Sequence, residues 1–135
     1  MKKRKKKKRT PTQILKDKTW KEFSKYIRTK GADKDGFNEC FTCGVKKHYT
    51  KLNAGHFKHG KLDFDEMNVN PQCVGCNMYG RGKLDVYAIK LLKLYGAKKL
   101  KDLDARAEQT LYLWEDLTEI YEKFKKINSK NKLFD

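Results

Sequence analysis

The chain has 135 residues, the size of one domain. It carries 33 Lys and Arg against 17 Asp and Glu, a formal net charge of +16, and 12% of its residues are aromatic. No apolar stretch approaches the roughly 18 residues of a membrane-spanning helix, and the aromatic content argues against a disordered chain. Eight of the basic residues are consecutive, Lys2 to Arg9, yet the remainder still holds 25 basic against 17 acidic residues. A basic body indicates a polyanionic partner, and we favour nucleic acid over charge that only keeps the protein soluble.

Residues 1–10 are expected to form a disordered basic tail, because like charges repel and nothing apolar is available to bury. The order Thr10, Pro11, Gln13 then matches an N-cap, a first-turn proline and a capping box, so a helix is predicted over residues 11–30. The basic start does not run into the apolar segment of a secretory signal. We therefore expect a cytoplasmic protein, in which cysteines are better read as metal ligands than as disulfides.

Two cysteine pairs dominate the middle of the chain, residues 37–82. Cys40-x-x-Cys43 and Cys73-x-x-Cys76 each place two thiolates on one tight turn, and together they supply the four ligands of a closed, tetrahedral, structural Zn²⁺ site. The stretch between the pairs is long enough for a hairpin, as in a treble-clef arrangement. Unconnected cysteines or a redox pair are the alternative.

The residues between and beside these pairs favour phosphodiester chemistry. His56 has a side chain whose ordinary pKa lies near physiological pH, which suits a general base. Asn77 offers an amide oxygen to a cation such as Mg²⁺, and Asn68 is expected either to hold the His56 ring or to fix the adjacent loop. Each has a plainer interpretation: His56 as a packing residue, Asn68 as a turn residue and Asn77 as a helix cap.

The C-terminal part, residues 83–130, is predicted to be a helical extension. Apolar residues at helical spacing indicate one helix over Leu84–Tyr95, ended by Gly96, and a second, long helix from about Leu103 to Ile127. We expect the apolar faces of both helices to pack against the middle module, residues 37–82. Residues 11–135 are thus predicted to form a single domain.

The middle segment resembles the HNH (ββα-metal, His-Me finger) nucleases, in which His follows the first cysteine pair and Asn or His follows the last cysteine. More narrowly, AGHF…FDEMNVNPQCVGCN…YG resembles the phage NinG/Rap recombination proteins. The resemblance implies an α+β fold: a small zinc-stabilised ββα-metal (His-Me finger, treble-clef) core flanked by an N-terminal helix and two C-terminal helices. The resemblance implies that His56 is the general base, that Asn68 is the structural residue at the middle position of the HNH motif, and that Asn77 is the ligand of a catalytic Mg²⁺ or Mn²⁺.

The same resemblance implies a metal-dependent endonuclease for branched recombination intermediates such as D-loops and Holliday junctions, working in a bacterial host cytoplasm or nucleoid. A homodimer would suit symmetric cutting of a junction, with the long C-terminal helix as the contact. One position departs from the family pattern: many HNH enzymes have a metal-binding Asp directly before the base, and this chain has Gly55. The candidates for the second ligand are Asp63, Asp65, Glu66 and His59.

Basic residues flank the proposed site along the sequence and are expected to contact phosphates with little base preference. This predicted DNA-binding set comprises Lys46, Lys47, Lys51, Lys58, His59, Lys61, Arg81 and Lys83. The main alternative function is a nonenzymatic, zinc-stabilised DNA- or RNA-binding protein. An adaptor that uses the C-terminal helix to bind another protein is a third.

Overall fold

The computed structural model describes residues 1–131 and shows a mixed α+β architecture. Its elements in chain order are helix α1 (Pro11–Thr29), strands β1 (Phe37–Glu39) and β2 (Lys46–His48), a 3₁₀ turn (Tyr49–Lys51), strands β3 (Leu52–His56) and β4 (Val69–Cys73), a single π-type turn that we call the short helix (Gly75–Tyr79), and helices α2 (Leu84–Tyr95), α3 (Ala97–Gln109) and α4 (Trp114–Lys130). No helix within residues 1–131 is both long enough and apolar enough to cross a bilayer.

Helix α1 begins with the predicted capping box. The Thr10 hydroxyl accepts a hydrogen bond from the Gln13 backbone N–H (3.2 Å), and the Gln13 side-chain oxygen accepts one from the Thr10 N–H (2.9 Å). These two bonds satisfy backbone donors that the first helical turn leaves without partners. Residues 1–9 contain no helix or strand, and Arg9 forms an ion pair with Asp17 on the first turns of α1.

Two antiparallel hairpins follow, each a separate two-stranded sheet. The first pairs β1 with β2 and holds the first cysteine pair in its connection. The second pairs β3 with β4, with Leu52 opposite Cys73 at one end and His56 opposite Val69 at the other. This second hairpin is the one expected between the cysteine pairs. It joins the cysteines at one end to His56 at the other.

Helices α1 and α4 pack together in parallel on one face of the second hairpin. Phe23 meets Phe124 edge-on, with 5.0 Å between ring centroids, and the Asn128 side-chain N–H₂ donates to the Glu22 carbonyl (2.8 Å). The core between them and the hairpin consists of the buried side chains of Phe23, Ile27, Ala54, Phe64, Val69, Leu117 and Phe124.

Helices α2 and α3 build a second core under the long β3–β4 loop. Its buried members are Leu62, Met67, Tyr87, Leu91, Leu103 and Ala107. The Tyr87 hydroxyl donates to the Gly55 carbonyl (2.8 Å) and accepts from the Asn70 side chain (3.1 Å), which fixes α2 against β3 and β4.

The expectation of two C-terminal helices is wrong, because residues 83–131 form three. The predicted long helix from Leu103 to Ile127 is divided at residues 110–113 into α3 and α4. The Tyr112 ring packs edge-on against Phe64 (5.0 Å), and its hydroxyl accepts the Phe64 backbone N–H. Asp116 accepts the Leu113 N–H (2.9 Å) and starts α4 anew. The Tyr112 contact and the Asp116 cap therefore divide the segment into two helices, although its apolar residues continue at helical spacing. The predicted end of α2 at Gly96 is confirmed, and Gly96 has the positive φ of 85° that favours glycine.

Candidate functional site

The four cysteines converge at one end of the β3–β4 hairpin. Their sulfur atoms all lie within 4.8 Å of one another, and none forms a disulfide. Cys40, Cys73 and Cys76 are buried, whereas Cys43 is exposed. Four convergent sulfur ligands are the set that tetrahedral Zn²⁺ prefers, so this centre can hold a structural metal ion such as zinc.

The surroundings of the thiols favour charge on Cys40. Burial opposes ionisation of this thiol, but hydrogen bonds from the Thr42 side chain and from backbone N–H groups outweigh it and lower the pKa of Cys40 to about 6. Burial raises the pKa of Cys76 to about 12, and hydrogen bonds with neighbouring thiols act in the same direction. A cation in the centre would stabilise every thiolate, so metal binding there must release protons and depend on pH.

His56 lies at the end of β3, on the face of the hairpin that α1 covers. Its ring stacks on the Trp20 indole, with 4.9 Å between centroids and 19° between planes. The His56 Nε2 lies 3.5 Å from Asp63 Oδ1, and it is buried without a hydrogen-bond partner among the described residues.

Burial lowers the pKa of His56 below 6.5, the ordinary value for histidine. The negative charge of Asp63 acts against this by favouring the imidazolium, while His59 and Lys16 disfavour it. The net direction keeps the ring neutral at physiological pH, the protonation state that a general base requires.

The four candidates for a second metal ligand occupy different surroundings. Asp63 lies beside His56 and forms an ion pair with Lys16 (2.9 Å). Asp65 forms an ion pair with Arg106 and Glu66 forms one with Lys30, so each of these acids links two elements of the fold. His59 is exposed, and its ring centroid lies 6.1 Å from that of His56.

Asn68 fixes the β3–β4 loop. Its side chain is fully buried and bonds only to the loop backbone: the N–H₂ group donates to the carbonyls of Lys58, Lys61 and Leu62 (3.1–3.2 Å), and Oδ1 accepts the Lys58 N–H (2.7 Å). Of the two expected roles, loop fixation is the one observed, since no bond joins Asn68 to the His56 ring. Asn68 thereby sets the course of the chain that leaves His56.

Asn77 lies on the short helix, one residue after Cys76, and is half-buried. It lines an open cleft of about 430 Å³ along the edge of β3. The other lining residues are Trp20, Ser24, Arg28, Thr50, Leu52, Asn53 and Ala54. Trp20 lies between this cleft and His56, because Trp20 lines the cleft and its indole stacks on the imidazole.

The sequence reasoning did not single out Gln72, a fully buried residue on β4. Its Nε2 donates to the Gly82 carbonyl (2.9 Å) and to the Thr42 hydroxyl (3.1 Å), while its Oε1 is buried without a hydrogen-bond partner among the described residues. An unpaired buried acceptor costs about 1–3 kcal/mol. Gly55 pairs with Asn70 across the hairpin and Gln72 pairs with Asn53, so only the three-dimensional fold shows that the Gln72 side chain reaches Gly55.

Seven of the eight residues predicted to contact DNA are exposed, and Lys58 is half-buried. They divide into three groups by position: Lys46, Lys47 and Lys51 on β2 and the 3₁₀ turn, Lys58, His59 and Lys61 in the β3–β4 loop, and Arg81 and Lys83 in the turn after the short helix. Lys46 forms an ion pair with Asp33 and Lys58 with Asp104, so these two cations are partly neutralised within the protein.

The fold and the cysteine centre together define a small α+β protein with a four-thiol site suited to a structural metal ion. The family model described as "Bacteriophage Lambda NinG protein" matches residues 1–132, and the chain belongs to that family. The resemblance to the phage NinG proteins expected from the sequence is thus confirmed.

Individual relatives agree with the family assignment. The chain is 27% identical over 89 residues to "Protein ninG" of Escherichia phage 933W, which covers 63% of this chain and 44% of that protein. It is 30% identical over 70 residues to "Protein ninG" of Salmonella phage P22 and 29% identical over 70 residues to that of Escherichia phage lambda, covering 49% of this chain and 34% of each relative. The matched segments span less than half of these relatives. No solved structure matches the chain.

Proposed function

We propose that this protein is a metal-dependent, structure-specific DNA endonuclease that cuts branched recombination intermediates, such as D-loops and Holliday junctions, by phosphodiester hydrolysis during phage recombination. The observation that carries the proposal is His56: a histidine kept neutral by burial, with an unpaired Nε2, at the end of a hairpin whose other end is the cysteine centre. The HNH and treble-clef assignment of the core belongs to the same proposal.

In this mechanism His56 takes a proton from the attacking water, and Asp63 steadies the imidazolium that results. Asn77 presents an amide oxygen to the hydrated cation. A bound Mg²⁺ or Mn²⁺ would supply the neutralisation of charge on the scissile phosphate and the leaving oxygen. Asn68 acts as a positioning residue by holding the loop that follows His56.

The exposed cations of the DNA-binding set would hold the phosphate backbone, with the basic tail as an added polycation. Contacts of this kind read shape and charge, which suits a branched substrate more than a base sequence. A homodimer on a four-way junction would place two such sites on strands of like polarity.

A nonenzymatic nucleic-acid-binding protein is the second candidate, and a specific observation favours it. The Trp20 indole covers the His56 ring, and Nε2 is buried, so a water molecule reaches this atom only if Trp20 or the ring shifts. In the binding-only alternative the stack is permanent, and His56 serves as a packing residue.

The deciding experiment incubates zinc-loaded protein with a four-way junction, a D-loop and linear duplex DNA, with EDTA, Mg²⁺ or Mn²⁺. The nuclease proposal expects metal-dependent cutting of the branched substrates that falls about 10²–10⁴-fold in His56→Ala. His48→Ala is the matched control, because His48 lies on the other hairpin. DNA binding without cutting in the wild-type protein, unchanged in His56→Ala, would leave the binding protein as the function.

A further inference from the structure

Gly55 occupies the position at which many HNH enzymes have a metal-binding Asp. A Cβ atom built on Gly55 would lie 1.8 Å from Gln72 Oε1 and 3.0 Å from Asn77 Oδ1. The side-chain direction of residue 55 therefore points at two carboxamide oxygens, and the first of them already fills the place that a side chain there would take.

The orientation of the Gln72 carboxamide is fixed by its partners. The Gly82 carbonyl can only accept a hydrogen bond, so the nitrogen of Gln72 faces Gly82 (2.9 Å) and the oxygen faces Gly55. Thr42 holds the same nitrogen (3.1 Å) and contacts the Cys40 sulfur (3.4 Å), so a chain of contacts runs from the cysteine centre to this oxygen.

Both oxygens are free to bind a cation. Gln72 Oε1 is fully buried and has no donor, and the Asn77 carboxamide makes no hydrogen bond within residues 1–131. Asn77 also lines the open cleft, which gives an ion a route to this point. Mg²⁺ and Mn²⁺ prefer oxygen ligands, commonly keep several waters and complete their shell with substrate phosphates.

We propose that Gln72 Oε1 and Asn77 Oδ1 together form a divalent-cation site. In this site the Gln72 oxygen takes the place of the Asp carboxylate that many HNH enzymes have at the position of Gly55. The catalytic purpose of this site rests on the proposed nuclease function, whereas the measurement of cation binding does not. Two neutral ligands predict a weak site in the free protein that is completed by DNA phosphate. The position of the Gln72 oxygen also explains why residue 55 is glycine, since any larger side chain there would collide with this oxygen.

The test measures Mn²⁺ bound to the zinc-loaded full chain by electron paramagnetic resonance, without DNA and without any activity readout. The wild type is expected to bind one Mn²⁺, and Gln72→Ala to bind it at least about tenfold more weakly. Asn77→Ala should have the same effect, and it removes a half-buried side chain without hydrogen bonds, so the fold is expected to survive. Asn53→Ala, a carboxamide in the same cleft, is the matched control and should bind as wild type.

A double variant that moves the oxygen ligand from residue 72 to residue 55 provides a second test. Gly55→Asp alone collides with Gln72, whereas Gly55→Asp combined with Gln72→Ala opens the space and restores an oxygen ligand, so the double variant should regain Mn²⁺ binding. Absence of bound Mn²⁺ in the wild type, or wild-type binding by folded Gln72→Ala and Asn77→Ala, would overturn the inference. His56→Ala separates the two proposals: it should bind Mn²⁺ normally and fail to cut. A wild type that binds Mn²⁺ as described but cuts no DNA would refute the nuclease and leave the cation site standing.

Discussion

The two ends of the β3–β4 hairpin differ in how completely their polar groups are satisfied. At the cysteine end, four sulfur atoms face one another, and the Cys73 sulfur also accepts the Cys76 backbone N–H. At the His56 end, His56 Nε2 is buried without a partner, and Gln72 Oε1, one residue pair along the hairpin from Cys73, is buried in the same state. These are the two buried side-chain N or O atoms without a hydrogen bond within residues 1–131.

This contrast separates structure from function. Buried polar groups in proteins are almost always paired, and exceptions concentrate where a ligand or a reaction completes them. The cysteine end forms a closed set for one ion. His56 and Gln72 lack partners that water, a cation or a phosphate would supply, which is the property expected of a reactive site.

The largest expected effect comes from disrupting the cysteine end. Cys73→Ser, or removal of the metal with a chelator, should unfold the middle module, because structural zinc contributes roughly 10–16 kcal/mol of apparent free energy in small metal-bound domains. Circular dichroism and zinc stoichiometry measure this, with zinc added back as the control for chelation. A chelated protein that keeps its full structure would contradict the assignment of a structural metal centre.

Removing the support of the His56 end should cost less. Asn68→Ala deletes four hydrogen bonds inside a fully buried site and should lower the free energy of unfolding by roughly 3 kcal/mol. Urea unfolding of the zinc-loaded protein measures this loss. Asn53→Ala, on the half-exposed part of β3, is the control and should change the value by less than about 0.5 kcal/mol. Equal effects of the two substitutions would mean that the loop does not depend on Asn68.

The pKa of His56 should move in opposite directions in two variants. Trp20→Ala exposes the ring and should raise its pKa, whereas Asp63→Asn removes the charge that favours the imidazolium and should lower it further. Titration of the ring by nuclear magnetic resonance measures both shifts, with His48 as an internal reference. Shifts in the same direction would show that burial and the Asp63 charge do not set this pKa.

The same depressed pKa has a consequence for pH dependence. Below pH 6.5 the unfolded chain takes up a proton on His56 that the folded protein resists, so this residue's contribution to stability falls as the pH drops from 6.5 toward the folded pKa. In the proposed nuclease the base must be neutral, so the acid limb of its cleavage should have its midpoint below pH 6.5. A midpoint above 6.5 would assign the limb to another group.

The smallest expected effect concerns the basic surface. Lys47→Ala and Lys51→Ala should each reduce the slope of log K against log salt by up to about 0.9 for duplex DNA. Lys46→Ala and Lys58→Ala should reduce it less, since these cations already pair with Asp33 and Asp104. Fluorescence anisotropy over a range of salt concentrations measures the slopes. Equal slopes in all four variants would show that the internal ion pairs do not matter for binding.

Features carried by short-range patterns were predictable from the sequence. The Thr10–Gln13 capping box and the end of α2 at Gly96 depend on neighbouring residues and were read correctly. The convergence of four cysteines follows from two x₂ spacings and the demands of one ion.

Features set by distant contacts were not predictable in this way. The break between α3 and α4 depends on Tyr112 meeting Phe64, 48 residues away, and no local pattern contains that contact. The stacking of Trp20 on His56 joins α1 to β3. The Gln72 oxygen reaches Gly55 although Gly55 pairs with Asn70 in the hairpin, so this contact cannot be inferred from the pairing of the strands. The sequence thus indicated the four-cysteine centre, while the surroundings of His56 and the contacts of Gln72 required the fold.

The most direct test of the account is chemical rescue of the proposed base. A zinc-loaded His56→Gly variant is incubated with a four-way junction and Mn²⁺, with and without added imidazole, and cut strands are quantified. The account predicts loss of cleavage without imidazole, recovery that rises with imidazole concentration, and unchanged junction binding. Cleavage by His56→Gly at the wild-type rate, or no cleavage by the wild type itself, would contradict it.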